Sequence, residues 1–418
     1  MVVKRLSYFA FRFVTGATHW SSQRFTAAGA LVISCAVITG AIGVDTTQSV
    51  AYQAFALFTA MMGMAALCLP FVSTRVAVER ELPRVATAGE AFTYRMRVSN
   101  PGTTALDGLS LMEDLADPRP SHDAYNAAIG IPTYRKWKRL VAANQLARVP
   151  LRPVPVLAPG ATAEIEIEAR ALKRGVAHSQ GVIVGRADPL GLVRAIARVP
   201  RRSNFIVLPR RYPPGGVTLA TSVGDSEEFV GLRDYRPGDP LQRIHWKSFA
   251  RAARPIVKEY QDEYFERHAL VLDTFGAGGG ERAFEEAVSI AASFAYTIDT
   301  RECLLDLMFI GAEAYTYTAG RGQMQAASLL EILAGVKPCR DKPFSTLGEA
   351  VLMRRGALTG CICVVLGWDE ERARFFRQLQ AHGLAFRAIA VCSAPVADPP
   401  PWLLAVEPGK VQEALVRL

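Results

Sequence analysis

A histidine and an aspartate near the middle of the chain carry its most suggestive chemistry. His245 could serve as a general base, and Asp239 precedes it by six residues. No paired nucleophile or nucleophile-elbow sequence accompanies them. We therefore expect a histidine that is held in place at a junction between domains. The alternative to this structural role is that the protein is a hydrolase of envelope-related substrates, with its site near Asp239 and His245.

A glycine-rich loop offers a second chemical candidate. Glycines at positions 276, 278, 279 and 280 stand between a predicted strand and a predicted helix, a place where phosphate groups are often bound. Glu281 replaces the third glycine of a dinucleotide motif, and no Gly-Lys-Ser/Thr follows as in a Walker loop. The run predicts a flexible loop at the edge of a sheet and no nucleotide site.

A turn and the start of a helix surround the aspartate. Pro237-Gly238 fits the two central positions of a type II turn, Asp239 is a good N-cap, and Pro240 suits the first helical position. Gln242 completes a capping-box pattern. The sequence therefore predicts a helix that begins at Pro240 and is capped by Asp239.

This predicted helix has two distinctive faces. Three cations recur at four-residue spacing and form a basic stripe, namely Arg243, Lys247 and Arg251. Another face carries Trp246, Phe249 and Ala250, and loss of Trp246 is expected to be costly if its indole is a buried wedge between the domains. Two roles stay open for the stripe: it grips an acidic partner surface, or it pairs with Glu259, Asp262 and Glu263.

Two stretches near the N-terminus carry no charged residue, and we expect them to anchor the chain in a membrane. Residues 25–44 and 51–72 each have about the ~20 residues that a helix needs to span hydrocarbon. The link between them is short enough to allow only a tight hairpin. A cleaved signal peptide would have a shorter apolar core than these stretches have. A helix in the core of a soluble domain would have a polar face, which neither stretch has. The sequence predicts two transmembrane helices.

Basic residues flank both stretches. The segment 1–24 carries Lys4, Arg5, Arg12 and Arg24 without an acidic residue, and Arg75, Arg80 and Arg84 follow the second stretch. By the positive-inside rule both termini are cytoplasmic. These residues account for part of the net charge of +9, and the remaining basic residues are spread along the chain. We therefore expect a lipid bilayer as a partner and no nucleic acid.

Two soluble domains are predicted after the anchor. Residues 76–209 alternate apolar and polar side chains with period two, which predicts a β-rich, sandwich-like domain, and residues 114–148 fit no strand pattern and form an insertion. Over residues 266–418 strands alternate with helices, which predicts a doubly wound α/β domain with a mainly parallel sheet. The seven cysteines show no paired metal-ligand spacing and are expected to be reduced.

The segment 226–265, between these domains, carries a recognisable motif. Its spacing is Arg-x-Tyr-x-x-Gly-Asp-x-x-x-x-Ile-His-Trp-x-x-x-Ala-Arg, and it includes Arg233, Tyr235, Gly238, Asp239, Arg243, Ile244, His245, Trp246, Ala250 and Arg251. This run resembles the signature of the bacterial family called domain of unknown function 58. The turn Asp188-Pro189-Leu190-Gly191-Leu192 is similar to that family too.

The resemblance implies an architecture and a partner. Members typically have two N-terminal transmembrane helices, a β-rich domain and a C-terminal domain like von Willebrand factor A. They are commonly encoded beside MoxR-type AAA+ ATPases and are regarded as their membrane-side partners in protein maturation. The resemblance implies a non-enzymatic adaptor in the bacterial inner membrane, with no catalytic residue to carry over. The basic stripe of Arg243, Lys247 and Arg251 supplies the candidate partner-binding residues.

A metal site is the remaining chemical candidate. Proteins with the von Willebrand factor A fold often bind Mg²⁺ through Asp-x-Ser-x-Ser, because hard oxygen ligands suit that ion. Here Phe275 and Ala277 replace both serines, which leaves Asp273 and Asp369 as the remaining carboxylates. Asp369 is equally well placed as a helix N-cap. We therefore do not expect magnesium or any other cofactor to be bound.

Overall fold

The computed structural model describes residues 2–42, 49–72, 74–212, 227–236, 239, 244–252, 254–262, 266–275, 280–298, 303–320, 326–396 and 398–416. The chain divides into two compact units, Met1–Leu208 and Pro209–Leu418. The N-terminal helices and the β-rich domain form the first unit. The motif segment and the α/β domain form the second.

Three helices open the first unit: α1 (Val2–Arg24), α2 (Ala27–Ile42) and α3 (Ser49–Cys68). The stretch Val50–Phe71 is long and apolar enough to cross a membrane, and only 6% of its most apolar window is buried. This confirms the predicted apolar helix after residue 50. Helix α2 is apolar but shorter, and the link at 43–48 lies outside the described residues. The two helices pack closely, since a Cβ at Gly40 would lie 3.0 Å from the Phe55 ring.

Antiparallel strands dominate the rest of the first unit. In chain order they are β1 (Ala77–Glu81), β2 (Val85–Thr87), β3 (Ala91–Ser99), β4 (Leu109–Leu115), β5 (Ala147–Arg148), β6 (Arg152–Pro153), β7 (Thr162–Ala171), β8 (Gly175–Ala187) and β9 (Arg194–Leu208). They form one sheet of order β1-β3-β7-β5 and another of order β2-β9-β8-β4-β6. The described pairs are antiparallel except β2 with β9.

Both sheets contribute to one hydrophobic core. Met96 and Ile167 come from the first sheet, and Leu111 and Val184 come from the second. The alternation in β7 explains its orientation, because its glutamates are partly or fully exposed while Ile167 is buried. The period-two pattern of the sequence therefore marks the core face correctly.

The predicted insertion is helical. It contains α4 (His122–Ala128), which Ser121 caps by accepting a hydrogen bond from Ala124 N, and α5 (Tyr134–Asn144). Its aromatic residues Tyr125 and Trp137 form a cluster with Tyr8 of α1. The insertion thus packs against the N-terminal helix.

The second unit contains a two-stranded ribbon and a six-stranded sheet. Its described elements are β10 (Glu227–Asp234), α6 (Trp246–Ala252), β11 (Ile256–Asp262), β12 (Glu266–Leu272), α7 (Gly280–Thr297), β13 (Cys303–Ile310), β14 (Ala314–Ala319), α8 (Ala326–Gly335), α9 (Ser345–Met353), β15 (Gly360–Leu366), α10 (Glu370–Ala381), β16 (Ala385–Val391), β17 (Leu403–Val406) and α11 (Val411–Val416).

The six strands follow the order β14-β13-β12-β15-β16-β17. All of their pairings are parallel except that of β14 with β13. Strand β15 is buried along its whole length, as is typical of a parallel strand covered on both faces. Apolar residues of α9 and α10 share a core with one face of the sheet, while α7 contacts β12, β15 and β16.

Candidate functional site

The motif is built on the β10–β11 ribbon. The two strands are antiparallel, with Arg233 opposite Val257 and Asp234 opposite Ile256. The Tyr235 amide donates to the Pro255 carbonyl at 3.0 Å, which extends the pairing beyond the strand. The ribbon therefore brings residues before and after α6 into register.

A bidentate ion pair closes the turn after β10. Arg233 Nη1 lies 2.7 Å from Asp239 Oδ2, and Nη2 lies 2.8 Å from Oδ1. The Arg236 amide donates to the same carboxylate at 2.8 Å. These hydrogen bonds, that of Arg233 first, lower the pKa of Asp239 to about 2. Charge-assisted bidentate pairs have strict geometry, so Arg233 and Asp239 fix the shape of this turn.

The helix predicted to begin at Pro240 does not run continuously to Arg251, because Ile244 forms a β-bridge with Val257 and the described helix begins at Trp246. The Asp239 carboxylate is engaged by Arg233 and by the Arg236 amide. Gly238 and Arg243 lie outside the described residues, as do Pro237 and positions 240–242. The cap itself stays a prediction, since the first-turn amides that would donate to Asp239 lie outside the described residues.

His245 takes the position just before the helix. Its carbonyl accepts hydrogen bonds from the Ser248 and Phe249 amides, both at 3.0 Å, and its own amide donates to the Ile256 carbonyl at 2.9 Å. The Nδ1 atom lies 2.7 Å from Ser248 Oγ. Ile244 beside it is buried and bridges Val257 of β11. Backbone contacts on both sides therefore hold the histidine at the start of α6.

Helix α6 presents an aromatic and basic surface. Trp246 is 63% exposed and meets the ring of Phe249 edge to face, with centroids 6.0 Å apart. Lys247, Ala250 and Arg251 are also exposed. We call Trp246, Lys247, Phe249 and Arg251 the α6 surface.

The Trp246 indole is exposed, so the condition that it is a buried wedge is not met. Ile244 fills the apolar position beside Val257, so the indole is not needed in that small core and remains in solvent. The proposed pairing of the stripe with acidic residues cannot be followed, because the side chains of Glu259 and Asp262 and the whole of Glu263 lie outside the described residues.

The two carboxylates of the predicted metal site are bridged by Arg372. Its Nε donates to Asp273 Oδ2 at 2.8 Å, and Nη2 lies 2.6 Å from the same oxygen without making a hydrogen bond of its own. Nη1 contacts Asp369 Oδ2, and Asp369 also caps α10 by accepting from the Arg372 amide at 2.9 Å. The N-cap interpretation of Asp369 is therefore confirmed.

The surroundings of Asp273 do not fit a magnesium ion. The carboxylate accepts from the Leu366 amide at 2.9 Å and from the Phe275 amide at 2.8 Å, and the residue is fully buried. Burial raises the pKa of Asp273, and the charge of Arg372 opposes that shift. Among the described residues no group of three or more His, Cys, Asp or Glu side chains could hold a metal ion. The guanidinium occupies the place where a cation would be needed.

The Asp-Pro-Leu-Gly-Leu turn joins the β-rich domain to the start of α2. The buried Asp188 carboxylate accepts from the amides of Leu190, Leu192 and Val193 at 2.7–2.9 Å. The carbonyl of Leu192 in turn accepts from the Thr26 amide at 3.1 Å. Gly29 is required beside it, because a Cβ there would lie 2.0 Å from the Leu192 oxygen.

Comparisons with known proteins agree with the motif. The family model described as "Protein of unknown function DUF58" matches residues 231–366, which include the motif from Arg233 onward and the strands β12 to β15. A Bacillus subtilis protein described as "Uncharacterized protein YeaD" is 27% identical over 173 residues, an alignment that covers 38% of this chain and 42% of that protein. The chain thus spans less than half the length of that relative.

The solved structures that resemble this chain match it only weakly. The CARDB domain of the PF1109 protein from Pyrococcus furiosus has a TM-score of 0.18 at 11% identity, and the match covers 32% of this chain and 85% of that one. Trypsin-activated alpha-2-macroglobulin from Escherichia coli has a TM-score of 0.21 at 16% identity, covering 54% of this chain and 13% of that one. At such scores the likeness carries no argument.

Proposed function

We propose that this chain is a membrane-anchored, non-enzymatic adaptor whose α6 surface docks onto a MoxR-type AAA+ ATPase. The observation that carries the proposal is the exposure of Trp246 and Phe249 next to Lys247 and Arg251. Tryptophan and arginine are enriched among residues that dominate binding energy, and an exposed cluster of them needs a partner. The partner itself is inferred from the family that the motif resembles.

Rigid support of the surface favours docking. The Arg233–Asp239 pair fixes the turn that precedes α6, and the backbone bonds of His245 hold the start of the helix on the ribbon. A helix positioned in this way loses little conformational entropy when a partner binds. The basic residues would select an acidic surface on the ATPase and speed encounter with it.

The remaining architecture is that of a bacterial inner-membrane protein. Two transmembrane helices form a hairpin, both termini are cytoplasmic, and a β-sandwich and a von Willebrand factor A-like domain lie in the cytoplasm. The low burial of Val50–Phe71 supports the anchor, because a core helix of a soluble domain would be covered. The parallel six-stranded sheet supports the α/β assignment. Reporter fusions at the C-terminus test the orientation, and an exported C-terminus would refute it.

Capture from native membranes tests the adaptor. The tagged full-length protein is crosslinked in cells and purified, and the Lys247→Glu variant is treated in parallel. We expect the unmodified protein to recover a AAA+ ATPase and the variant to recover much less, since the charge reversal leaves the exposed helix folded and opposes an acidic partner. Failure to recover any such ATPase from the unmodified protein would sink the proposal.

A hydrolase is the second candidate, because Ser248 Oγ lies within hydrogen-bond distance of His245 Nδ1. The pair lacks an orienting carboxylate among its described contacts, since Asp239 is bound by Arg233. Treatment of the full-length protein with a fluorophosphonate probe distinguishes the two functions. Labelling that Ser248→Ala abolishes would support the hydrolase, and an unlabelled protein would exclude this nucleophile.

A further inference from the structure

Helix α1 has two apolar sides, and the first is packed. Tyr8 is buried against the insertion, with its ring centroid 5.5 Å from that of Tyr125 and 5.7 Å from that of Trp137. Phe11, on the same side, lies 5.5 Å from Tyr134. The insertion thus covers this side of the helix.

The opposite side of α1 is apolar and uncovered. Its large side chains are between 43% and 77% exposed, and they are Val3, Leu6, Phe9, Phe13, Val14 and Trp20. On a helical projection these side chains fall in one broad stripe, which we call the α1 stripe. Part of it forms an open groove of about 600 Å³ lined by Phe9, Phe13, Gly16, Ala17 and Trp20, with Arg12 and Arg119 at its rim.

The charges of α1 are all positive. Lys4, Arg5, Arg12 and Arg24 lie on the helix, which has no aspartate or glutamate. On a helical projection Arg5 and Arg12 fall between the packed side and the α1 stripe. Cations along the border of an apolar face are the pattern of helices that lie in the surface of an anionic membrane.

The C-terminal end of α1 leads directly into the apolar hairpin. Only Phe25 and Thr26 separate Arg24 from α2, and Thr26 is fixed to the turn at Leu192. Trp20 stands one turn before this point, with the Arg24 guanidinium 5.2 Å from its ring. Tryptophan beside a cation at the end of a membrane span is typical of the headgroup region.

We propose that α1 lies along the cytoplasmic surface of the bilayer, with the α1 stripe in the headgroup and acyl-chain boundary and with the insertion on its cytoplasmic side. The ligand class is anionic phospholipid, and the proposal rests on the membrane anchor proposed above. A lipid surface is favoured over a protein because the stripe continues into the hairpin and because the charged residues of α1 itself are all cations. The insertion is then a platform that the helix holds at a fixed distance from the membrane.

Photocrosslinking to lipid tests this arrangement in the full-length protein, reconstituted in nanodiscs that contain phosphatidylglycerol and phosphatidylethanolamine. Three separate proteins carry p-benzoylphenylalanine in place of Phe13, Phe11 or Leu57, and adducts are identified by mass spectrometry. Phe13 reports the α1 stripe, and Phe11 is the matched control on the packed side. Leu57 of α3 is 59% exposed and reports the anchor alone.

We expect lipid adducts at Phe13 and at Leu57, with at least about fivefold less at Phe11, where adducts go to α5. Nanodiscs made only of zwitterionic lipid should reduce the yield at Phe13 and leave that at Leu57 unchanged. Lipid adducts at Leu57 with none at Phe13, or equal yields at Phe11 and Phe13, would overturn the surface helix and leave the anchor intact. Absence of lipid adducts at both Phe13 and Leu57 would overturn the anchor as well.

Discussion

Arg372 of α10 reaches the carboxylate of Asp273 at the end of β12, with Nε 2.8 Å from Oδ2, and both residues are buried. The charge of the Asp273 carboxylate is thus countered from within the chain. This pair connects a helix to one of the two central strands of the sheet.

Loss of this arginine should destabilise the protein strongly. Arg372→Ala leaves a buried carboxylate without its countercharge, which typically costs about 3–5 kcal/mol. Arg377→Ala is the matched control, because Arg377 lies on the same helix and pairs with Glu370 at the surface, where such pairs contribute about 0–1 kcal/mol. Chemical denaturation of the full-length protein in detergent measures both. Equal losses of unfolding free energy in the two variants would show that the buried pair stabilises the fold no more than the surface pair does.

Divalent cations should leave the unmodified protein unchanged. Asp273 already accepts hydrogen bonds from two backbone amides and from Arg372, so it has little capacity to bind an ion. Thermal melts with excess Mg²⁺ and with a chelator check this. A ligand that binds the folded state raises its stability by about 2.7 kcal/mol at a hundredfold excess over its Kd, and an increase of that size would contradict the account.

The contact between α2 and the Asp188 turn should tolerate no side chain at Gly29. Gly29→Ala places a methyl group 2.0 Å from the Leu192 carbonyl oxygen, which the backbone can avoid only by moving. Overpacking of this kind costs about 1–3 kcal/mol. Gly63→Ala is the control, because no atom lies within 4 Å of its added Cβ. The two variants are compared by thermal unfolding in the same detergent, and a neutral Gly29→Ala would show that the turn does not grip α2.

The Arg233–Asp239 pair should hold the motif across the physiological pH range. The folded-state pKa of Asp239, about 2, lies below the ordinary value for aspartate. The stabilisation that the pair provides is therefore complete above about pH 4 and is lost as the pH falls through about 2. Asp239→Asn should therefore loosen the turn at neutral pH, as unmodified protein does only in strong acid. Hydrogen exchange at the amides of Arg236 and Asp239 measures the change.

Asp234→Asn is the control for this variant, because Asp234 forms an exposed pair with Arg254 at 3.2 Å. We expect it to exchange like unmodified protein. If Asp239→Asn showed unaltered exchange and stability yet abolished function in cells, the structural role would be wrong. A catalytic or direct binding role for the carboxylate would replace it.

Runs of buried residues could be predicted well from the sequence. The alternation of strands and helices predicted over residues 266–418 is present in β12 to β17 and their helices, because parallel strands covered on both faces, such as β15, are apolar runs. The period-two alternation predicted over residues 76–209 is present in β3 and β7. Such patterns depend only on which side chains face a core, and that requirement is local.

Side-chain contacts that form only when the chain folds could not be predicted. Arg372 stands in a charged run at the start of α10, which in sequence looks like a solvated face, yet it is 2% exposed. Asp239 has the sequence of an N-cap, and only the ribbon shows that Arg233 reaches it. The helical spacing of Leu6, Phe9 and Phe13, by contrast, is a local signal from which helix α1 could have been predicted.

The affinity of the α6 surface for the ATPase tests the central claim most directly. Purified full-length protein in nanodiscs is titrated with a purified MoxR-type ATPase, together with the variants Trp246→Ala and Tyr296→Ala. Trp246 and Tyr296 are equally exposed aromatic residues, at 63% each, and Tyr296 lies on α7 away from the motif in sequence. We predict that Trp246→Ala weakens binding by about thirtyfold or more, which corresponds to a loss of about 2 kcal/mol, and that Tyr296→Ala binds like unmodified protein. Equal affinities for all three proteins would contradict the account.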